Sequence, residues 1–228
     1  MNNFSTTLAP QIGSPCPSRR YLLVGALVAN VLPALVACGR KPPKAQAVAA
    51  GATVLALGDS LTSGVGASAD TAYPAVLQRL TGWKVVNAGV SGDTSAQALA
   101  HLPALIQTHR PALVIVSIGG NDFLRRQNAA TTRTQIRQIC TEARASGAQV
   151  LLVAVPELSL MATVGRLSDH PMYEEIADEL KIPLHRKGWS SVLANEQMRA
   201  DTVHANAAGY AQFVNGLMET LKDTGLRV

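Results

Sequence analysis

Aromatic side chains are scarce in this chain. They make up 4% of its 228 residues, so few are available for base stacking. No Lys/Arg block is long enough to form a basic stripe either, and no nucleic-acid partner is expected. Three cysteines are too few for a disulfide framework. No group of His, Cys and Asp carries metal-ligand spacing, so neither a metal nor any other cofactor is expected. The formal charge of +5 shrinks once Arg19 and Arg20 are set aside with the acid-free residues 1–37. Eighteen basic residues then face 15 acidic ones, the balance of a mildly basic enzyme surface. An apolar share of 47% is that of a globular protein, not of a disordered or multi-span one.

The N-terminus has the plan of an export signal. Residues 1–17 are polar, Ser18-Arg19-Arg20 follow, and an apolar run extends from Tyr21 to Ala37. With Asn30 and Pro33 inside it, that run is short for a permanent span, which needs about 20 residues. It ends in Leu35-Val36-Ala37-Cys38. This resembles the lipobox of bacterial lipoproteins, which implies cleavage before Cys38 and lipidation of its thiol. An uncleaved anchor and soluble export are the alternatives. Ser18-Arg19-Arg20-Tyr21-Leu22-Leu23 also resembles a twin-arginine export motif. Leu22 and Val24 depart from its fuller pattern, and ordinary export of the Sec type stays open. The chain therefore divides into a signal peptide (1–37), a lipidated Cys38 with a Pro/Ala-rich tether (38–52) and a domain (53–228). The expected location is the cell envelope, facing the periplasm or the outer surface, with a membrane held through Cys38 and the domain a monomer.

Within 53–228, apolar runs alternate with amphipathic stretches. Strands are expected at Thr53–Leu57, Trp83–Asn87, Leu113–Ile118, Gln149–Val155 and Ile182–Leu184. Helices are expected at Ala72–Leu80, Ser95–Thr108, Thr131–Ser146, Met172–Lys181 and Ala207–Leu221, the last capped by Asn206. Continuous apolar strands between helices argue for a mostly parallel five-stranded sheet covered on both faces, a three-layer α/β/α domain. Sites in such sheets form beyond the carboxyl ends of the strands. Ser60, Gly92 and Asn121 all fall just after a strand. Cys140 shares an apolar helix stripe with Ile136 and Ile139 and reads as a buried small hydrophobe.

Four segments carry chemistry: Gly58-Asp59-Ser60-Leu61, Gly89-Val90-Ser91-Gly92-Asp93, Gly119-Gly120-Asn121-Asp122 and Asp201-Thr202-Val203-His204. A serine hydroxyl is a weak nucleophile until a base takes its proton, and His204 is the candidate base. Asp201, three residues earlier, is near enough in sequence to orient the imidazole. Asp59 and Asp122 read as loop ties that accept backbone hydrogen bonds. Asp93, Thr94 and Ser95 read as a turn and helix cap. His101, His109, His170 and His185 read as surface residues without a matched carboxylate motif. Two rival motifs fail. The Ser60 segment lacks the second glycine of a Gly-x-Ser-x-Gly elbow. Gly64-Val65-Gly66-Ala67-Ser68-Ala69 comes too late after its strand for a dinucleotide fingerprint.

In order and spacing, the four segments resemble the signature blocks of the SGNH (GDSL) hydrolases, and the fit is closest to the bacterial thioesterase I, lysophospholipase and arylesterase branch. The resemblance spans Thr53 to about Leu221. It implies a flavodoxin-like SGNH fold and a serine esterase acting on carboxylic esters or thioesters through an acyl-serine intermediate. It assigns Ser60 as nucleophile, His204 as base and Asp201 as orienter. The backbone N–H groups of Ser60 and Gly92 and the side-chain amide of Asn121 become the oxyanion donors. Ala205 departs from the proline often found there. The expected partner is a small acyl ester or thioester. O-acetyl ester hydrolysis on envelope polysaccharide is the alternative function, and a non-catalytic lipoprotein module a second. The loop Phe123–Ala130 and the stretch Glu157–Pro171, with Leu158, Leu160, Met161 and Val164, are the expected pocket walls.

Overall fold

Five parallel strands organise the domain: β1 (Thr53–Gly58), β2 (Lys84–Gly89), β3 (Leu113–Ser117), β4 (Gln149–Val153) and β5 (Leu184–His185), in the spatial order β2-β1-β3-β4-β5. The computed structural model describes residues 45–157 and 167–228. The expected export signal, Cys38 and the first part of the expected tether lie outside the described residues, as do Leu158, Leu160, Met161 and Val164.

β3 is buried along its whole length, and β1 and β4 nearly so, as the unbroken apolar runs require. Leu57 pairs with Ala88 on one side and Val116 on the other, so the ends of β1, β2 and β3 finish together. Eight α-helices lie among the described residues: α1 (Ser60–Ser63), α2 (Tyr73–Thr81), α3 (Ser95–His109), α4 (Gly120–Leu124), α5 (Ala129–Ala145), α6 (Met172–Leu180), α7 (Gly188–Ala194) and α8 (Ala207–Asp223). In α5 the buried positions Thr132, Ile136, Ile139, Cys140 and Ala143 repeat at helical spacing. Burial pushes the Cys140 thiol up to about 12, so it behaves as a small hydrophobe and not as a nucleophile. α3, α5 and α6 pack together, while α2, α7 and α8 form a second group. The few aromatics concentrate in that second group. Trp189 stacks on Phe213 at 3.7 Å between centroids, Tyr73 and Tyr210 meet the pair edge-on, and Trp189 Nε1 donates to Ser117 Oγ at 2.9 Å.

Several expectations need correction. β4 stops at Val153 instead of Val155, because the chain leaves the ladder at Pro156, which forms an isolated antiparallel bridge with Asp169. The last strand is Leu184–His185, not Ile182–Leu184; Pro183 has no N–H to donate to a ladder and contributes only its carbonyl, to Leu152 N. The tether does not extend to residue 52. From Ala45 the chain is tied to the domain: Ala45 N donates to Thr224 O, Val48 N to Leu226 O and Trp83 Nε1 to Val48 O, while Gln46 and Gln149 exchange two hydrogen bonds of 2.8 Å. Val48 is buried, so this strap belongs to the domain. It docks around the starts of β1, β2 and β4, the end of the sheet opposite Ser60. Nor is His185 a surface residue. It closes an edge strand beneath α7 and α8, its ring edge-on to Phe213 at 5.3 Å and its Nδ1 bonded to Thr220 Oγ1 at 2.8 Å.

Candidate active site

Ser60 opens α1 directly beyond the carboxyl end of β1. Asp59 caps that helix by accepting from Leu61 N at 3.1 Å. Gly58 permits the turn to lie close: a side chain there would run into Thr62 and the carbonyl of Ser117. His204 arrives from the far end of the chain, in the loop before α8. A bridge between Arg199 and Ala205 and a bond from Ala200 N to His204 O close that loop at its base. Its conformation is held with alanine at 205. Asp201 Oδ1 accepts from the amides of Val203 and His204 at 2.8 and 2.9 Å. Its other oxygen lies 2.7 Å from His204 Nδ1, and His204 Nε2 lies 3.0 Å from Ser60 Oγ. An ionised carboxylate only accepts, so Nδ1 carries the ring proton and Nε2 faces the hydroxyl with a lone pair. Desolvation works to raise the Asp201 carboxyl. The hydrogen bonds from His204 and the two amides outweigh it and hold the group below the usual carboxylate range.

Two loops complete the site. Gly92, after β2, has φ +86°, a left-handed conformation that favours glycine. Asn121, on α4 after β3, donates Nδ2 to Asp93 O at 2.9 Å, and Asp59 Oδ2 lies 3.5 Å from the same nitrogen. Two acceptors around one atom fix the amide with its nitrogen on this side. Asp122 points away from the cleft and takes Ser95 N at 2.9 Å and Ser95 Oγ at 2.6 Å. Thr94 caps α3, its N–H bonded to Gln97 Oε1 at 3.0 Å. Asp59 and Asp122 thus tie loops as their motifs suggested, but Asp59 is also a fully buried carboxyl at the floor of the site. Desolvation pushes it up to about 6, against the lowering effects of the Leu61 amide and of His204.

Ser60, Gly92, Asn121 and His204 all line one cleft of about 430 Å³. Its other walls are mostly apolar and include Val65, Leu124, Val155, Pro156 and Leu193. Leu124 falls inside the expected loop, which is half helix, since α4 was too short to leave a periodic signal. In the Glu157–Pro171 stretch, none of the described positions lines the cleft; the chain just before it does, through Val155 and Pro156. His101 is half-buried with Nε2 3.1 Å from Asp93 Oδ2, so it has a carboxylate neighbour that no local spacing announced. His170 stacks on Phe123 at 4.9 Å. Arg125 also escaped the sequence reading. It donates Nη2 to Gly92 O at 2.8 Å across 33 residues, a contact made only by the folding of two loops.

A serine hydroxyl facing an imidazole that a carboxylate orients, beside the Gly92 and Asn121 loops of one mostly apolar cleft, is the arrangement of a Ser-His-Asp hydrolase. Comparison with known proteins gives the same class. The chain matches the GDSL-like Lipase/Acylhydrolase family over residues 56–212. It is 40% identical over 164 residues to the Thioesterase 1/protease 1/lysophospholipase L1 of Escherichia coli (strain K12), covering 69% of this chain and 77% of that one. It is 33% identical over 182 residues to the Esterase TesA of Pseudomonas aeruginosa, with coverage of 76% and 90%. Among solved structures, that of TesA superposes with a TM-score of 0.66 at 32% identity, over 75% of this chain and 99% of the other. The chain therefore belongs to the GDSL-like lipase/acylhydrolase family, and it is an ester hydrolase of the SGNH type.

Proposed function

We propose that this enzyme hydrolyses acyl esters and thioesters through an acyl-Ser60 intermediate. The observation that carries the reading is the continuous chain of contacts from Asp201 through His204 to Ser60 at the mouth of the apolar cleft. As Ser60 Oγ attacks the acyl carbonyl carbon, its proton passes to His204 Nε2, and Asp201 steadies the imidazolium that forms. The carbonyl π electrons move onto oxygen. That oxyanion takes hydrogen bonds from the amides of Ser60 and Gly92 and from Asn121 Nδ2, where it replaces the long 3.5 Å contact to Asp59 Oδ2. Collapse breaks the bond to the leaving alcohol or thiol, which takes the proton from His204. Water then attacks the acyl-serine and gives its proton to His204; collapse breaks the acyl–Oγ bond, Ser60 Oγ takes the proton back from His204, and the acid is released.

The size and apolarity of the cleft favour acyl chains longer than acetyl, which would fill only a small part of about 430 Å³. A series of p-nitrophenyl esters from two to twelve carbons, run beside Ser60→Ala, tests this. Serine-dependent turnover that rises with medium chains is the expected result. Turnover confined to acetate would move the assignment to O-acetyl ester hydrolysis on polysaccharide, and turnover that survives Ser60→Ala would overturn the mechanism. Fluorophosphonate labelling separates the enzyme from a binding module, which would take no label.

We further propose that the enzyme works at the cell envelope as a monomeric domain held to a membrane through lipidated Cys38. The Leu35-Val36-Ala37-Cys38 sequence supports this. The described chain joins the domain at the end of the sheet opposite Ser60. Radiolabelled palmitate incorporated by the wild type and lost in Cys38→Ser is the expected outcome.

A further inference from the structure

Three side chains from one short stretch grip the loop that carries Gly92. Asn121 holds the carbonyl of Asp93 and Asp122 holds the amide and hydroxyl of Ser95. Arg125 follows one turn after Asn121, its own amide bonded to Asn121 O at 3.0 Å, and its Nη2 reaches Gly92 O at 2.8 Å. The carbonyls of two consecutive residues are therefore held from one face of the α4 turn. We propose that Arg125 is a positioning residue for the reaction, a latch that fixes the Gly92 amide in register with Asn121 for the oxyanion. The proposal rests on the assignment of Gly92 and Asn121 as oxyanion donors.

Gly92 has no side chain to pack and sits at φ +86° in a turn closed by Asp93 N donating to Val90 O at 3.1 Å, and Arg125 holds that turn from outside. The Arg125 guanidinium bonds the Gly92 carbonyl, and its Nη2 approaches to 3.6 Å from where a Cβ on Gly92 would stand. A guanidinium carries its donors in a fixed planar fork, so it sets the direction of this bond more tightly than the point charge of a lysine. Arg125 is exposed, so the bond adds little to folding stability. Its effect on rate can be larger, because a donor displaced by a fraction of an ångström loses much of its worth in the transition state while ground-state binding barely changes. Arg125 also follows Leu124, a wall of the cleft, so the acyl contact and the latch lie on the same turn.

The test uses the full-length protein and the variants Arg125→Met, Arg125→Lys and Ser60→Ala. Steady-state rates on p-nitrophenyl butyrate would be measured beside the affinity for an alkyl boronic acid, which forms a tetrahedral anionic adduct with a serine. For Arg125→Met the latch predicts a fall in kcat of about tenfold, KM within about twofold of wild type, and a matching loss of boronate affinity. The melting temperature should be unmoved, and Arg125→Lys should recover part of the lost rate. Wild-type kcat in Arg125→Met, or a loss confined to KM, would overturn the proposal. If Ser60→Ala is inactive while Arg125→Met turns over normally, the latch alone fails. If Ser60→Ala stays active, the reading beneath it fails.

Discussion

The floor of the cleft and the outer edge of the sheet each bury one ionisable side chain, under different terms. At the floor, desolvation raises Asp59 to about 6; one backbone amide serves it closely and the Asn121 amide stands off at 3.5 Å. At the edge, burial lowers His185 to about 4, with its Nδ1 bonded to Thr220. At neutral pH the edge holds an uncharged ring, and its burial costs little. The floor holds a carboxylate that is mostly ionised and poorly solvated, beside Ser60 and His204. A fold that keeps an unfavourable charge next to its reacting groups, and a neutral one where only packing matters, gives up stability at the site in exchange for chemistry.

Substitutions should divide along the same line, with turnover lost at the cleft and only stability touched at the edge. The largest effect is expected for Ser60→Ala, a fall in kcat of about 10⁴-fold or more with the fold intact, checked by ester hydrolysis on clean protein. Asn121→Ala should lower kcat by about 10²–10³-fold with little change in KM. Asp201→Ala should cost less, on the order of tenfold to 10²-fold, because the carboxylate is half-exposed and water can enter to accept the His204 Nδ1 proton.

Two smaller effects concern stability and carry opposite signs with pH. Asp59 has a raised folded-state value. Its contribution to stability is fully present below about 3.8 and is lost as pH climbs through about 6. Asp59→Asn keeps an acceptor for Leu61 and should raise the melting temperature at pH 8, by up to about 3 kcal/mol of stability, with the gain vanishing near pH 3.5. His185 has a depressed value. It is neutral in both states above 6.5, and the native state loses stability as pH falls from 6.5 toward 4, where the unfolded chain takes the proton first. That slope amounts to about 3 kcal/mol across the window, and His185→Asn should flatten it without altering kcat. An Asp59→Asn protein that melts lower at pH 8, or a His185→Asn protein that loses turnover, would erase the contrast between the two regions.

Most of the architecture was legible because the strands are long apolar runs and the larger helices have clear stripes. α3, α5 and α8 lie within a residue or two of where their periodicity places them. The short helices α1, α4 and α7 were not legible, since four to seven residues give no periodic signal. The strap from Ala45 looked like a tether because its composition is that of one; its hydrogen bonds to Thr224, Leu226 and Gln149 come from partners remote in sequence. The same holds in the site. Ser60, Asp201 and His204 stand in local motifs, and the structure brings them together as the blocks imply. Arg125 and the burial of Asp59 depend on loops meeting across the sheet edge, and no spacing along the chain encodes that.

Where the acyl group is carried decides the account most directly. Wild-type protein would be treated with an alkyl fluorophosphonate, digested, and mapped by mass spectrometry. A single adduct on Ser60, lost in Ser60→Ala and slowed strongly in His204→Ala, is the predicted result. Folded protein that hydrolyses esters yet carries no adduct on Ser60, or carries it on another residue, would contradict the proposed mechanism.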